Sequence, residues 1–215
     1  MSLIIERAFA LALDLHQFQK RKASIVPDAA YMGHLTEVAG MVWGCFANDD
    51  PALGTTVAAA LLHDAIEDQP QKSPRELIDA HCGRDVLELA LECTETGVEG
   101  PVKAPWHDRK LAYLSHISEL SVHALLISVC DKLQSAMELK RQVRRRGFYA
   151  FEAFQKDDEP LGKCQERILW FHKELVKEFQ RRIFVISKDL EGPIIAGIMA
   201  YIEDFREIVN WLEAD

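Results

Sequence analysis

Apolar residues recur at helical spacing through most of the chain. Ile4, Ala8, Leu11, Ala12 and Leu15 share one face of a first helix. A loop marked by Pro27 and Asp28 follows. His34 to Phe46 predicts a second helix, stopped by Asn48-Asp49-Asp50-Pro51. Thr55 to Asp68 predicts a third, rich in alanine and ending before Pro70. Ser73-Pro74 with Glu76 reads as a cap with proline in the first turn, opening a helix that runs to about His81. Gly83 separates it from another ending near Thr94. Residues 95–106 hold two glycines and two prolines and predict a loop. Helices over about 107–118, 121–146, 160–185 and 193–213 complete the chain. Arg144-Arg145-Arg146 before Gly147 reads as a helix stop, a solvated end in preference to a phosphate clamp. No strand alternation of useful length, internal repeat or low-complexity segment interrupts the pattern. The expected fold class is all-α, one domain, with the last helix on its outside or covered in a homodimer.

Composition narrows the function. Of 215 residues, 48% are hydrophobic and 27% charged, enough to build a core and unlike a disordered chain. Acidic residues outnumber basic ones 34 to 25, for a net charge of −9, which argues against duplex nucleic acid as partner. A small phosphorylated nucleotide needs only a local positive patch and stays open. No apolar run approaches the roughly 20 residues of a membrane span, so no membrane partner is expected. Glu6 and Arg7 interrupt the apolar N-terminal stretch, unlike a signal peptide. Cys45, Cys82, Cys93, Cys130 and Cys164 are scattered, with no Cys-x-x-Cys pair. That disfavours a disulfide framework or a thiolate zinc site and suits a cytoplasmic protein.

The segment from Ala59 to Asp68 carries the candidate chemistry. On a continuous helix of about 100° per residue, His63, Asp64, Glu67 and Asp68 fall within an arc of roughly 140°. No Lys or Arg occurs between Thr55 and Gln71 to neutralise them. Three close carboxylates repel unless a cation sits among them, and a divalent metal is the simplest. The competing reading is a solvated charged face. Two more ligand types stand elsewhere. His34 opens a helix after Tyr31-Met32-Gly33, and Asp131 is the one acid inside apolar Leu125–Leu133. A buried aspartate needs a cation or donors. Adjacent Lys132 is one such partner, and a satisfied core histidine is the plainer reading of His34.

In combination, His34, then His63-Asp64, then Asp131 resemble the HD superfamily of metal-dependent phosphohydrolases. His16, Gln19, Arg21 and Lys22 are similar to the His-x-x-Gln-x-Arg-Lys stretch of the RelA/SpoT-type alarmone hydrolase domain. Tyr31 to His34 with Val38-Ala39, Ala59 to Asp68, Gly83 with Val86 and Thr94, and Asp131-Lys132-Leu133 continue the likeness, over about residues 4–180. The chain looks like a small alarmone hydrolase, with a single HD-type helical domain over 1–185 and a C-terminal helical extension over 186–215.

The resemblance implies roles. His34, His63, Asp64 and Asp131 would hold one divalent metal, whose mixed nitrogen and oxygen donors suit Mn²⁺ and admit Fe²⁺ or Zn²⁺. Glu67 and Asp68 would orient and deprotonate the attacking water. Arg21, Lys22, Lys132 and Arg109 would hold phosphates or stack on the base. Arg167 matches an arginine preceding an aromatic pair, here Trp170-Phe171. Ser135 stands where the family has an asparagine, Ser128 where it often has a lysine, and Ala30 and Leu35 where it has prolines. The implied reaction is removal of pyrophosphate from the 3′ position of guanosine or adenosine tetra- or pentaphosphate. Alternatives are another nucleotide, as in an NADPH phosphatase or nucleotidase, and a nucleotide sensor without turnover. The Glu67-Asp68 pair argues against the sensor, since binding needs no water activator. The unneutralised acids argue against a site-free interaction protein.

Overall fold

In α8 (Val122–Arg146) eight consecutive residues, Ala124 to Asp131, are buried. A helix with no solvent face must be wrapped by others, and α8 is the axis of the molecule. The computed structural model describes residues 3–22, 24, 26–95, 104–156 and 158–214. Around α8 lie α1 (Leu3–Leu15), α2 (Met32–Trp43), α3 (Leu53–Leu62), α4 (Ala65–Asp68), α5 (Pro74–Cys82), α6 (Arg84–Cys93), α7 (Trp106–His116), α9 (Leu161–Ile186) and α10 (Pro193–Ala214). Short 3-10 segments occupy Pro70–Lys72, Ile117–Glu119 and Gly147–Phe154. Among the described residues the one extended pairing is an isolated antiparallel bridge, Lys20 to Ala30. The expected all-α architecture is what the chain adopts.

α2, α3, α6, α9 and α10 pack on α8, while α1 lies on α3 and α5. α3 is the second buried helix, with Thr56 to Leu62 all enclosed; its alanines let it approach neighbours on every side. Ser121 caps α8, its hydroxyl accepting from Ala124 N at 3.3 Å. Gly147, at φ +56°, ends α8 after the three arginines, a conformation that suits glycine. α10 lies along α8 and α9, and Tyr201 Oη donates to Met41 O of α2 at 3.1 Å. Gly197 marks its closest approach: a Cβ there would lie 2.4 Å from Cys45 Sγ. No helix among the described residues is long and apolar enough to cross a membrane.

The continuous helix expected over Thr55–Asp68 is broken. α3 ends at Leu62, α4 begins at Ala65, and His63-Asp64 form a turn with Asp64 at φ −94°, ψ −5°. The cause is local. His63 Nδ1 donates to Ala60 O at 2.7 Å, the carbonyl that the Asp64 N–H would take in an unbroken helix. The helical arc that grouped the four polar side chains therefore does not apply across the break, and it is the turn that aims them. The Gly147–Phe154 segment was not anticipated. Residues 96–103 of the expected loop, and Ala23 and Ile25 of the earlier one, lie outside the described residues.

Candidate metal centre and the adjoining cleft

Three elements deliver donors to one point. α2 supplies His34, the α3–α4 turn supplies His63 and Asp64, and α8 supplies Asp131. His34 Nε2 lies 3.2 Å from Asp131 Oδ1 and 3.6 Å from Asp64 Oδ2. His63 Nε2 lies 3.1 Å from Asp64 Oδ2 and 3.8 Å from Asp131 Oδ1. Both imidazoles are buried.

The far side of each ring sets its tautomer. His34 Nδ1 donates to Gln134 Oε1 at 2.5 Å, and Gln134 Nε2 donates onward to Glu37 Oε2 at 2.7 Å. His63 Nδ1 is spent on Ala60 O. With the protons on Nδ1, each Nε2 turns a lone pair inward. Neither Nε2 has a hydrogen-bond partner among the described residues. Two buried lone pairs beside two carboxylates are costly unless something electropositive joins them. The donor set fits a divalent cation, and His34, His63 and Asp131 offer ligand atoms within 4.8 Å of one another.

The electrostatics agree. Burial opposes every charge here, but the neighbours outweigh it. Beyond burial, His63 most strongly holds Asp64, and Lys132 most strongly holds Asp131, well below the usual carboxylate range. Without a metal, the carboxylates, Asp64 foremost, hold His63 well above the usual imidazole value despite its burial, so that a proton at Nε2 takes the place a metal would occupy. The centre favours positive charge. The two readings of Asp131 prove compatible: Oδ1 faces the histidines while Oδ2 accepts from Lys132 Nζ at 2.5 Å.

Beside the donors opens a cleft lined by Arg21, Glu67, Asp68, Lys110, Lys132 and Ser135. Burial, Asp64 and Glu95 raise the Glu67 pKa to about 7, against the pull of Lys110 and Lys132. Asp68 Oδ2 accepts from Gln19 Nε2 at 2.6 Å. Arg21 Nη2 donates to Ser135 Oγ at 2.8 Å and to Gln134 Oε1 at 3.1 Å, with its guanidinium 5.4 Å from the Tyr31 ring centre. The hydroxyl of Tyr31 donates to Asp64 Oδ2 at 2.5 Å. Past Arg21 a second hollow continues, walled by Lys20, Lys22, Tyr31, Glu138 and Phe154. Lys22 sits exposed at its rim.

Two residues named from the sequence are engaged elsewhere. Arg109 Nη1 donates to buried Glu95 at 2.6 Å and its Nε to Ala104 O at 3.1 Å. It is Lys110 that lines the cleft. The phase of α7 carries the missed signal: Lys110 lies one turn after Trp106 and three residues before Tyr113, on the inward face, and Arg109 is a step round from it. Arg167 Nε and Nη2 grip the Glu159 carboxylate, each at 2.8 Å, and Nη2 also donates to Phe154 O at 2.9 Å. With its guanidinium over Trp106, Arg167 braces the segment that carries Phe154. The roles of Gln134, Glu37 and Glu95 have no sequence signature of their own.

Imidazoles from two elements, joined by an aspartate at a helix break and another on a central helix, are the arrangement of the HD class. The chain belongs to the HD domain family, whose profile matches residues 8–154. Hydrolases of this family are metal-dependent, and the His34–His63–Asp131 group is where this chain could hold the ion. Among characterised proteins it is similar to guanosine-3′,5′-bis(diphosphate) 3′-pyrophosphohydrolase MESH1 of Xenopus tropicalis. The two are 31% identical over 140 residues, 65% of this chain and 71% of that protein. Its fold matches that of a metazoan ortholog of SpoT that hydrolyzes ppGpp, with TM-score 0.66, 20% identity and 96% of each chain covered. It also matches lmo0812 from Listeria monocytogenes EGD-e, with TM-score 0.62, 19% identity, and 85% of this chain and 99% of the other covered. At those identities the two structures speak for the fold alone.

Proposed function

We propose that this protein is a metal-dependent phosphohydrolase that removes pyrophosphate from the 3′ position of guanosine 3′,5′-bis(diphosphate). One observation carries the reading. Two buried imidazole lone pairs and two carboxylates converge at the floor of a cleft whose walls bear Glu67 and Asp68 on α4 and the cations Arg21, Lys110 and Lys132. The relative MESH1 supports the substrate.

His34, His63, Asp64 and Asp131 are the ligands in this reading. Mn²⁺ suits their mixed nitrogen and oxygen donors, with Fe²⁺ and Zn²⁺ as alternatives. A divalent ion bound there supplies Lewis-acid polarisation at a phosphoryl oxygen. The rest belongs to the chain. Glu67, on the cleft wall just after the His63-Asp64 turn, takes the proton of the attacking water while Asp68 orients that water. The water oxygen bonds to the phosphorus next to O3′, the P–O3′ bond breaks, and O3′ takes up a proton as pyrophosphate leaves. Lys110 and Lys132 offset the charge of the diphosphate, which the acidic floor would otherwise repel. Arg21 bridges the two hollows, and the nucleoside lies beyond it, against Tyr31 and Phe154 with Ser135 and Glu138 in reach of the base. A carboxylate at Glu138 can accept from both N1–H and N2–H of guanine, whereas adenine offers that edge a single donor group, so guanine is the better fit.

The reading includes HD chemistry within residues 1–185 and a supporting role for the extension over 186–215. A cytoplasmic location is supported by five cysteines, all unpaired. A homodimer is supported by Phe184, Val185 and Met199, which are exposed near the outer ends of α9 and α10. The test is turnover by Mn²⁺-loaded protein, read as pyrophosphate released from guanosine and adenosine 3′-pyrophosphates and as orthophosphate released from NADPH. Preferential turnover of the guanosine compound is expected. Turnover of NADPH alone, or of none, would overturn the assignment.

A further inference from the structure

We infer that Gln19 is a positioning residue that holds Asp68 in the orientation needed to handle the attacking water, an inference that rests on the hydrolytic reading above. The geometry points to it through both ends of one amide. Gln19 Oε1 accepts from His16 Nδ1 at 2.8 Å and from Gln69 Nε2 at 2.5 Å. Gln19 Nε2 donates to Asp68 Oδ2 at 2.6 Å. With two donors on Oε1 and a carboxylate facing Nε2, the amide has one permissible orientation. Flipping it would set oxygen against carboxylate and N–H against N–H.

The backbone fixes the same residue. Gln19 N donates to His16 O at 3.0 Å, Tyr31 N donates to Gln19 O at 3.0 Å, and Arg21 N donates to Ala29 O at 2.9 Å. This closed hairpin sets Gln19 and Tyr31 side by side. Gln19 reaches Asp68 and Tyr31 reaches Asp64, so one structural unit steadies the acid in the α3–α4 turn and the acid at the end of α4. The His16 ring, stacked 5.3 Å from that of Tyr31, joins the two arms. α4 has only four residues and cannot hold Asp68 rigidly by itself. Because Oδ2 takes the Gln19 N–H, Oδ1 is the oxygen that accepts from the attacking water and orients it while Glu67 takes its proton.

Gln19→Leu removes the donor and the acceptor while keeping similar bulk. Loss of a supporting hydrogen bond of this kind typically costs about 10- to 100-fold in activity. The expected result is a fall of that size in kcat, with KM and Mn²⁺ content close to those of the parent and Tm lowered by the orphaned His16 and Gln69 donors. Gln19→Glu adds a readout that a scaffold role would not move. An ionised carboxyl there opposes Asp68, but a protonated one restores an O–H donor and keeps an acceptor for His16. The kcat of Gln19→Glu relative to the parent should therefore climb as pH falls from 8 to 5. In an Asp68→Asn background, Gln19→Leu should cost nothing further. Parental kcat in Gln19→Leu, with Asp68→Asn inactive, would overturn this inference and leave the hydrolytic reading standing. Loss of metal together with kcat, without recovery of Gln19→Glu in acid, would overturn it in favour of a scaffold. Parental turnover in Asp68→Asn would remove Asp68 from the mechanism, and this inference with it.

Discussion

Gln134 Oε1 accepts the Nδ1 proton of His34 at 2.5 Å, three residues beyond Asp131 on the same helix. α8 thus contributes one donor directly and fixes the tautomer of another. The Gln134 amide is itself oriented, since its Nε2 donates to Glu37 Oε2 at 2.7 Å.

Gln134→Leu should weaken Mn²⁺ binding by about 10- to 100-fold, the usual cost of losing a partner that orients a metal-binding histidine. Arg21 Nη2 would lose one of its two acceptors as well, so KM should rise. Metal titration and steady-state kinetics on the same preparation check both. Unchanged metal affinity would mean that packing alone orients His34.

Glu67 gives a pH signature in the metal-free protein. Its carboxyl is raised from 4.5 to about 7, first by burial and then by Asp64 and Glu95. A carboxyl raised on folding favours the folded state below its unfolded pKa, and that contribution is lost as pH rises through the folded value. In EDTA the Tm of Glu67→Gln should therefore gain on the parent between about pH 4.5 and 7. A constant difference across that window would place Glu67 in ordinary surroundings.

Lys110 and Arg109 separate function from support. Lys110→Ala should lower kcat/KM by about tenfold or more, as expected when a charge-assisted contact to phosphate is lost. Arg109 and Lys110 both pair with buried Glu95, at 2.6 and 3.0 Å, so either change should lower Tm, and Arg109→Ala should do so with kcat/KM close to that of the parent. Steady-state kinetics beside thermal melts distinguish them; the reverse pattern would move the phosphate contact to Arg109.

Glu138→Gln should erode base discrimination. Replacing a carboxylate acceptor of two N–H donors by an amide costs roughly 1.5–3 kcal/mol, about 10- to 100-fold in kcat/KM for the guanosine compound, with much less change for the adenosine one. An equal loss for both would place the base elsewhere.

Much of this was legible in the sequence. The amphipathic period located the long helices, because burial of one face is what their residues are selected for. The proposed metal donors were legible as candidates because His34, His63-Asp64 and Asp131 stand in a recognisable order, and His34, His63 and Asp131 do offer ligand atoms within 4.8 Å of one another. The break at His63 was not, since Ala59 to Asp68 reads as uninterrupted helix former and the interruption comes from a side chain bonding its own backbone. Lys110 was hidden by one residue of helical phase. Gln19 stood out as one position of a family-like stretch, but its pairing with Asp68 did not, and Gln134 became informative only once distant segments met, because an amide shows no role until its partners are known.

The most direct test follows the oxygen of the attacking water. Mn²⁺-loaded protein and guanosine 3′,5′-bis(diphosphate) are incubated in H₂¹⁸O, and the products are resolved by ³¹P NMR and mass spectrometry. The account predicts pyrophosphate carrying one ¹⁸O, unlabelled guanosine 5′-diphosphate, and no turnover by Asp131→Ala. Label in the nucleoside, release of orthophosphate in place of pyrophosphate, or undiminished turnover by Asp131→Ala would contradict it.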